Sequence, residues 1–118
     1  MSGNISLSDY QEEAQKTIPF NLEPKEVVDN AVYGLCGELG ELVDIIKKVK
    51  FQGHAMTKET ERHLLLEMGD ILWYLSEMAT GLGIDMNEVA VANITKIRQR
   101  YGERFDVEKS QNRKQGDI

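Results

Sequence analysis

The sequence predicts an all-α domain: a bundle of about four helices, built on a long antiparallel hairpin and completed by homo-oligomerisation. Three observations predict it. Apolar residues recur at three- and four-residue intervals through two long stretches, 25–50 and 58–82, as in helices that bury one face. The alternation of a half-buried strand is almost absent. A short loop closed by Gly53 joins the two stretches, so they fold back as a helical hairpin.

Each element has its own signals. Ser8 and Gln11 have the spacing of a capping box and predict a short first helix from Ser8. Pro19 and Pro24 bracket a break. The second helix runs from about Lys25 to about Lys50, with Val28, Val32, Leu35, Leu39, Leu42, Ile46 and Val49 as its buried stripe. Thr57 is the expected N-cap of a third helix over 58–82. Its core face is Leu64, Met68, Ile71, Leu75 and Leu82, and Gly81 and Gly83 form its stop. Asp85 and Glu88 start a fourth helix that ends near Gly102. Residues 106–118 are polar and read as a mobile tail of one domain spanning 1–118.

On the third helix Leu66 and Trp73 point away from Leu64, which predicts a second apolar contact, either with the fourth helix or with another copy of the chain. A homodimer or homotetramer is expected, because half-bundles complete their cores by pairing.

Composition narrows the function. Of 118 residues, 41% are hydrophobic and 29% charged, with a net charge of −6. Such a surface lacks the cations that a general nucleic-acid binder needs. No apolar run is long enough to cross a bilayer, and the N-terminal residues lack a secretory leader's pattern. The one cysteine, Cys36, excludes an internal disulfide and reads as a small buried hydrophobe. Together these predict a cytoplasmic protein without a membrane partner.

The acidic residues are more informative. On a helical wheel Glu38 falls roughly 60° from Leu35, inside the apolar stripe between Ala31 and Ile45, with Glu41 a turn further. Glu67 and Asp70 take the same positions relative to Leu64. Residues three apart are neighbours, and like charges at that distance repel by roughly 3 kcal/mol at an effective dielectric of 20. Two such pairs on facing helices need a compensating cation. All-oxygen ligands favour Mg²⁺, with Mn²⁺ as a substitute. A di-iron bundle would require Glu-x-x-His, whereas His63 precedes Glu67 by four. Asp44 falls on the outer face.

The segments Gly37-Glu38-Leu39-Gly40-Glu41-Leu42 and Glu67-Met68-Gly69-Asp70-Ile71-Leu72-Trp73-Tyr74, followed by Asn93 to Tyr101, resemble the MazG-like all-α nucleotide pyrophosphohydrolase superfamily. The likeness covers roughly Asp9 to Phe105 and includes Gln52-Gly53-His54. It implies that Glu38, Glu41, Glu67 and Asp70 are metal ligands, and that a nucleotide is cleaved between its α- and β-phosphates. Many members carry a second acid where this chain has Gly37, which bears on the number of metal ions.

Within that frame Glu38 is the expected general base. Lys48 lies two turns beyond Glu41 and reaches toward phosphate. Asn93, Lys96 and Arg100 share one face of the fourth helix, which the resemblance places in the nucleotide pocket. Tyr74, beside Asp70, is the candidate for stacking on a base. His54 and His63 read as structural. The expected reaction is Mg²⁺-dependent hydrolysis of nucleoside triphosphates to monophosphate and pyrophosphate. The alternatives are a phosphoribosyl-ATP pyrophosphohydrolase and a non-enzymatic helical module. The module would show damaged acid pairs or a missing basic helix, and neither is seen.

Overall fold

A computed structural model describes residues 3–118. Met1 and Ser2, part of the N-terminal stretch read above, lie outside them. Every regular element among the described residues is helical: α1 (Leu7–Gln15), α2 (Pro24–Phe51), α3 (Lys58–Leu82), α4 (Met86–Tyr101) and α5 (Val107–Gln111). None is long and apolar enough to cross a membrane.

The helix ends follow local chemistry. Thr57 caps α3 by accepting from Thr60 N, and Gly83 ends it at φ 71°, a left-handed conformation that suits glycine. Pro24 opens α2 at a position where its missing N–H costs nothing, behind a capping box of Glu23 and Glu26. Asp85 caps α4 through Asn87 N.

Two of the expected signals serve other ends. The cap of α1 is Ser6, which accepts from Asp9 N. Ser8 instead donates to Asp85 Oδ1 at 2.6 Å. Gln11 donates to Thr80 Oγ1 and the Ile84 carbonyl and accepts from Met86 N. The supposed capping pair therefore ties α1 to the α3–α4 junction. Gly81 is a packing position rather than a stop: a Cβ there would meet Val28 Cγ2 at 2.8 Å and the Pro24 carbonyl at 3.1 Å.

The hairpin of α2 on α3 is the most extensive pairing, and its seam divides the stripe read from the sequence. Val28, Leu35, Leu42 and Val49 are half-buried against α3, whereas the interleaved Val32, Leu39 and Ile46 are exposed. On α3, Leu64 and Ile71 are half-buried, while Met68, Leu75 and Leu82 are exposed. The apolar face is wide enough for two surfaces, and periodicity alone cannot separate them. Cys36 lies exposed in the outer stripe, not buried.

α4 does not cover that outer face. It packs chiefly on α1 and α5, and its own Val89, Val91, Ile94 and Ile97 are exposed. Trp73 is sheltered instead by the turn after α1, donating Nε1–H to Thr17 Oγ1 at 2.9 Å and meeting Tyr74 edge-on. Leu66 remains exposed. The tail expected to be mobile carries α5, and Asp117 returns to Arg100.

The dimensions agree with this open packing. The radius of gyration is 17.4 Å, against about 13–14 Å for a compact chain of this length. The accessible surface is 9059 Å², against about 6,500 Å² for a compact monomer of this mass.

Candidate metal centre

Ala31, Glu38 and Ile45 follow one another at seven-residue spacing along α2, on the side that faces α3. Ala31 is wholly buried there, and Glu38 and Ile45 are half-buried. Glu67 occupies the matching position on α3, between Leu64 and Ile71, and is 8% exposed. The same periodicity that builds the hydrophobic seam therefore carries two carboxylates into its middle.

Asp70 joins them one turn on. One carboxylate oxygen from each of Glu38, Glu67 and Asp70 falls within a common 4.8 Å. Glu38 Oε2 and Glu67 Oε2 are shut off from solvent and have no hydrogen-bond partner. Buried carboxylate oxygens left unpaired are costly, and an oxygen-only donor set of this kind suits a hard divalent cation. The residues present thus fit a metal ion. Glu41 is exposed and stands outside the trio, yet close enough that its charge acts on Glu38.

The electrostatics follow from the crowding. Glu38 is pushed up to about 7, first because a protonated carboxyl there can hydrogen-bond to Glu67 whereas the ionised pair cannot, then by desolvation and by the charges of Glu41, Asp70 and Glu67. The Tyr10 hydroxyl on α1 is also raised, by burial and by Asp70, which places α1 at the edge of the cluster. Tyr10 carries no periodic signal in the sequence, because its role depends on how α1 packs. His63 Nε2 lies 3.3 Å from Glu67 Oε1. The sequence held a signal for that contact, since residues four apart share a helix face.

The other predicted residues distribute unevenly. Lys48 pairs with Asp44 at 2.9 Å and lines a cavity of about 450 Å³ with His54, Arg62 and His63 beside the cluster. Asp44 is held below the usual carboxylate range by Lys48 and Lys47. The Tyr74 ring packs against Gly34 on the facing helix. Asn93, Lys96 and Arg100 ride on α4, and a single chain does not gather them around the carboxylates. Lys96 and Arg100 line a separate cavity with the C-terminal segment.

Comparison with known proteins agrees with the arrangement. Residues 27–105 match the MazG nucleotide pyrophosphohydrolase domain, a span that contains all three gathered carboxylates. The chain is 32% identical over 68 residues to the Gene 37 protein of Mycobacterium phage L5, covering 57% of this chain and 60% of that protein. The chain thus spans about three fifths of that relative's length. No solved structure matches it. With the acidic pairs on facing helices and the match running from the start of the hairpin to the end of α4, the chain belongs to the MazG nucleotide pyrophosphohydrolase domain family.

Proposed function

We propose that this protein hydrolyses nucleoside triphosphates, ribo- or deoxyribo-, to the monophosphate and pyrophosphate, with Mg²⁺ as cofactor and Mn²⁺ as a substitute. The observation that carries the reading is the convergence of Glu38, Glu67 and Asp70 from two helices, with oxygens of Glu38 and Glu67 buried and unpaired.

Glu38, Glu67 and Asp70 would hold the ion, with Glu41 a turn away. When bound, the ion supplies charge neutralisation for the phosphates and orientation for the attacking water. Glu38 is the candidate to take the proton from that water; crowding raises its carboxyl in the metal-free chain, and a bound cation would lower it again. Lys48, near the end of α2 that leads into the connecting loop, would meet phosphate. Tyr74 lies one turn beyond Asp70 and would flank the base.

Asn93, Lys96 and Arg100 complete the site only if a second copy brings its α4 to the hairpin, so we infer a homodimer or homotetramer. The exposed stripe of Val32, Leu39, Val43 and Ile46 on α2, with Leu65, Met68, Leu75 and Leu82 on α3, supports this. So does the surface in excess of a compact monomer, which is of the size that stable interfaces remove. Nucleic acid and membrane are not expected as partners of so acidic a chain.

The test is pyrophosphate release from each common NTP and dNTP, with Mg²⁺ and with chelator. Metal-dependent release with matching monophosphate is expected. Absence of release from all of them, in folded protein that binds Mg²⁺, overturns the reading. Turnover of phosphoribosyl-ATP in their place would assign the alternative substrate.

A further inference from the structure

We propose that the cavity between α4 and the C-terminal segment binds a polyphosphate chain, and that Asp117 is its built-in competitor. The inference rests on the reading that the Lys96–Arg100 face of α4 meets phosphate. It adds residues outside the matched family domain, which ends at residue 105.

The cavity holds about 830 Å³ and is lined by Lys96, Arg100, Lys109, Arg113, Lys114 and Asp117, among others. Among the lining side chains five are cations and one, Asp117, is a carboxylate, on a chain whose net charge is −6. So local an inversion of sign concentrates anions.

Asp117 occupies the position an anion would take. Arg100 donates from Nε at 2.8 Å and from Nη2 at 2.7 Å to its two carboxylate oxygens. This is the forked geometry with which a guanidinium holds either carboxylate or phosphate. Both side chains are largely shielded, at 12% and 14% exposed, so water screens the pair little.

The chain is shaped to deliver this contact. Asp106 caps α5 through Lys109 N, and Lys109 Nζ reaches the Tyr101 carbonyl at 3.5 Å. Gly116 then takes φ 89°, and Asp117 N–H donates to the Lys114 carbonyl, which turns the chain back toward α4. The same return sets Arg113 and Lys114 on the cavity wall. A polyphosphate with more charge than one carboxylate would displace Asp117 from Arg100 and engage the other cations.

The test is calorimetric titration of inorganic tripolyphosphate into the full chain, with chelator present so that the carboxylate cluster takes no part. Asp117→Asn keeps the shape and removes the competing charge, so affinity should rise about fivefold, the worth of roughly 1 kcal/mol. The doubly substituted Arg113→Gln/Lys114→Gln protein changes two exposed side chains and should bind at least about tenfold more weakly.

Equal affinity in all three proteins overturns the proposal. So does a lowered melting temperature of Asp117→Asn with unchanged affinity, which would make the pair only a staple for α4. Titrating dATP in parallel separates two sources of the same chemistry. Tighter binding than tripolyphosphate assigns the site to a nucleotide, weaker binding assigns it to inorganic polyphosphate, and both support it. Because the readout is metal-free binding, these affinities can hold while hydrolysis fails, or the reverse.

Discussion

The ring of Tyr74 on α3 lies against the backbone of Gly34 on α2, in the space a Cβ at position 34 would take. This close approach brings the two helices together one turn from the carboxylate cluster, with Trp73 standing edge-on to the same ring at 5.0 Å. Gly34→Ala would gain about 1 kcal/mol of helix propensity but force the ring aside at about 1–3 kcal/mol. Net destabilisation in urea melts is expected, together with reduced turnover, because Tyr74 and Asp70 sit on adjacent turns. Unchanged stability would show that the contact is slack.

A second cross-helix relationship is polar. Asn30 Nδ2 donates to Glu77 Oε1 at 2.7 Å, and Glu77 is 1% exposed with its other oxygen unpaired. Asn30→Ala would leave both oxygens buried without a partner, at a cost of about 2–3 kcal/mol. Adding Glu77→Gln should recover part of that loss by removing the charge. A double-mutant cycle measures the coupling, and strict additivity of the two changes would refute it.

The raised carboxyl of Glu38 makes the metal-free protein sensitive to pH. Its folded value of about 7 lies above the ordinary 4.5, so its stabilising protonated form is fully present below pH 4.5. That contribution is lost as pH rises through 7. Thermal melts in chelator should therefore fall from pH 5 to pH 7.5, and Glu38→Gln should flatten the slope. Mg²⁺ should raise the melting temperature more at pH 7.5 than at pH 5, because a cation favours the ionised carboxylates. Asp44, Asp85 and Asp117 are lowered by their partners. Their stabilisation is present above the ordinary 3.8 and lost as pH falls through their lowered values, a separate acid limb. A Glu38→Gln protein with the same slope between pH 5 and 7.5 would place the titration elsewhere.

The carboxylates should also separate by activity. Asp70→Ala removes a member of the gathered trio. Pyrophosphate release should drop by about 10³-fold, the worth of the several kcal/mol a catalytic metal supplies, with helix content unchanged. Glu41 lies outside the trio, so Glu41→Ala should mainly raise the Mg²⁺ requirement, by about 10–100-fold. Full activity of Asp70→Ala would remove the metal assignment. Equal losses in both variants would place Glu41 in the same inner set.

Self-association should be measurable directly. If the outer stripe of the hairpin is an interface, Leu39→Glu with Leu75→Glu places charges on two side chains that are 55% and 43% exposed in one chain. The doubly substituted protein should sediment as a monomer, while the native chain sediments as a dimer or larger. A native monomer at micromolar concentration would refute the interface.

The sequence by itself determined the four longer helices and the acid pairs, but not α5, which lies in the stretch read as a mobile tail. Thr57, Pro24, Gly83 and Asp85 set the helix ends through local hydrogen bonds and backbone freedom. Glu38 and Glu67 stood out because an acid inside an apolar stripe breaks a 3.6-residue pattern that is visible without coordinates. Tertiary structure decided the rest. Periodicity shows that a face is apolar but not what covers it. Only the packing separated Leu35 and Leu42 on the seam from Leu39 and Ile46 outside it. In the same way, contacts between positions far apart in the chain turned Ser8 and Gln11 from a supposed cap into ties to the α3–α4 junction, and set Asp117 on Arg100. Such contacts depend on where the helices dock, and local residue chemistry holds no record of that.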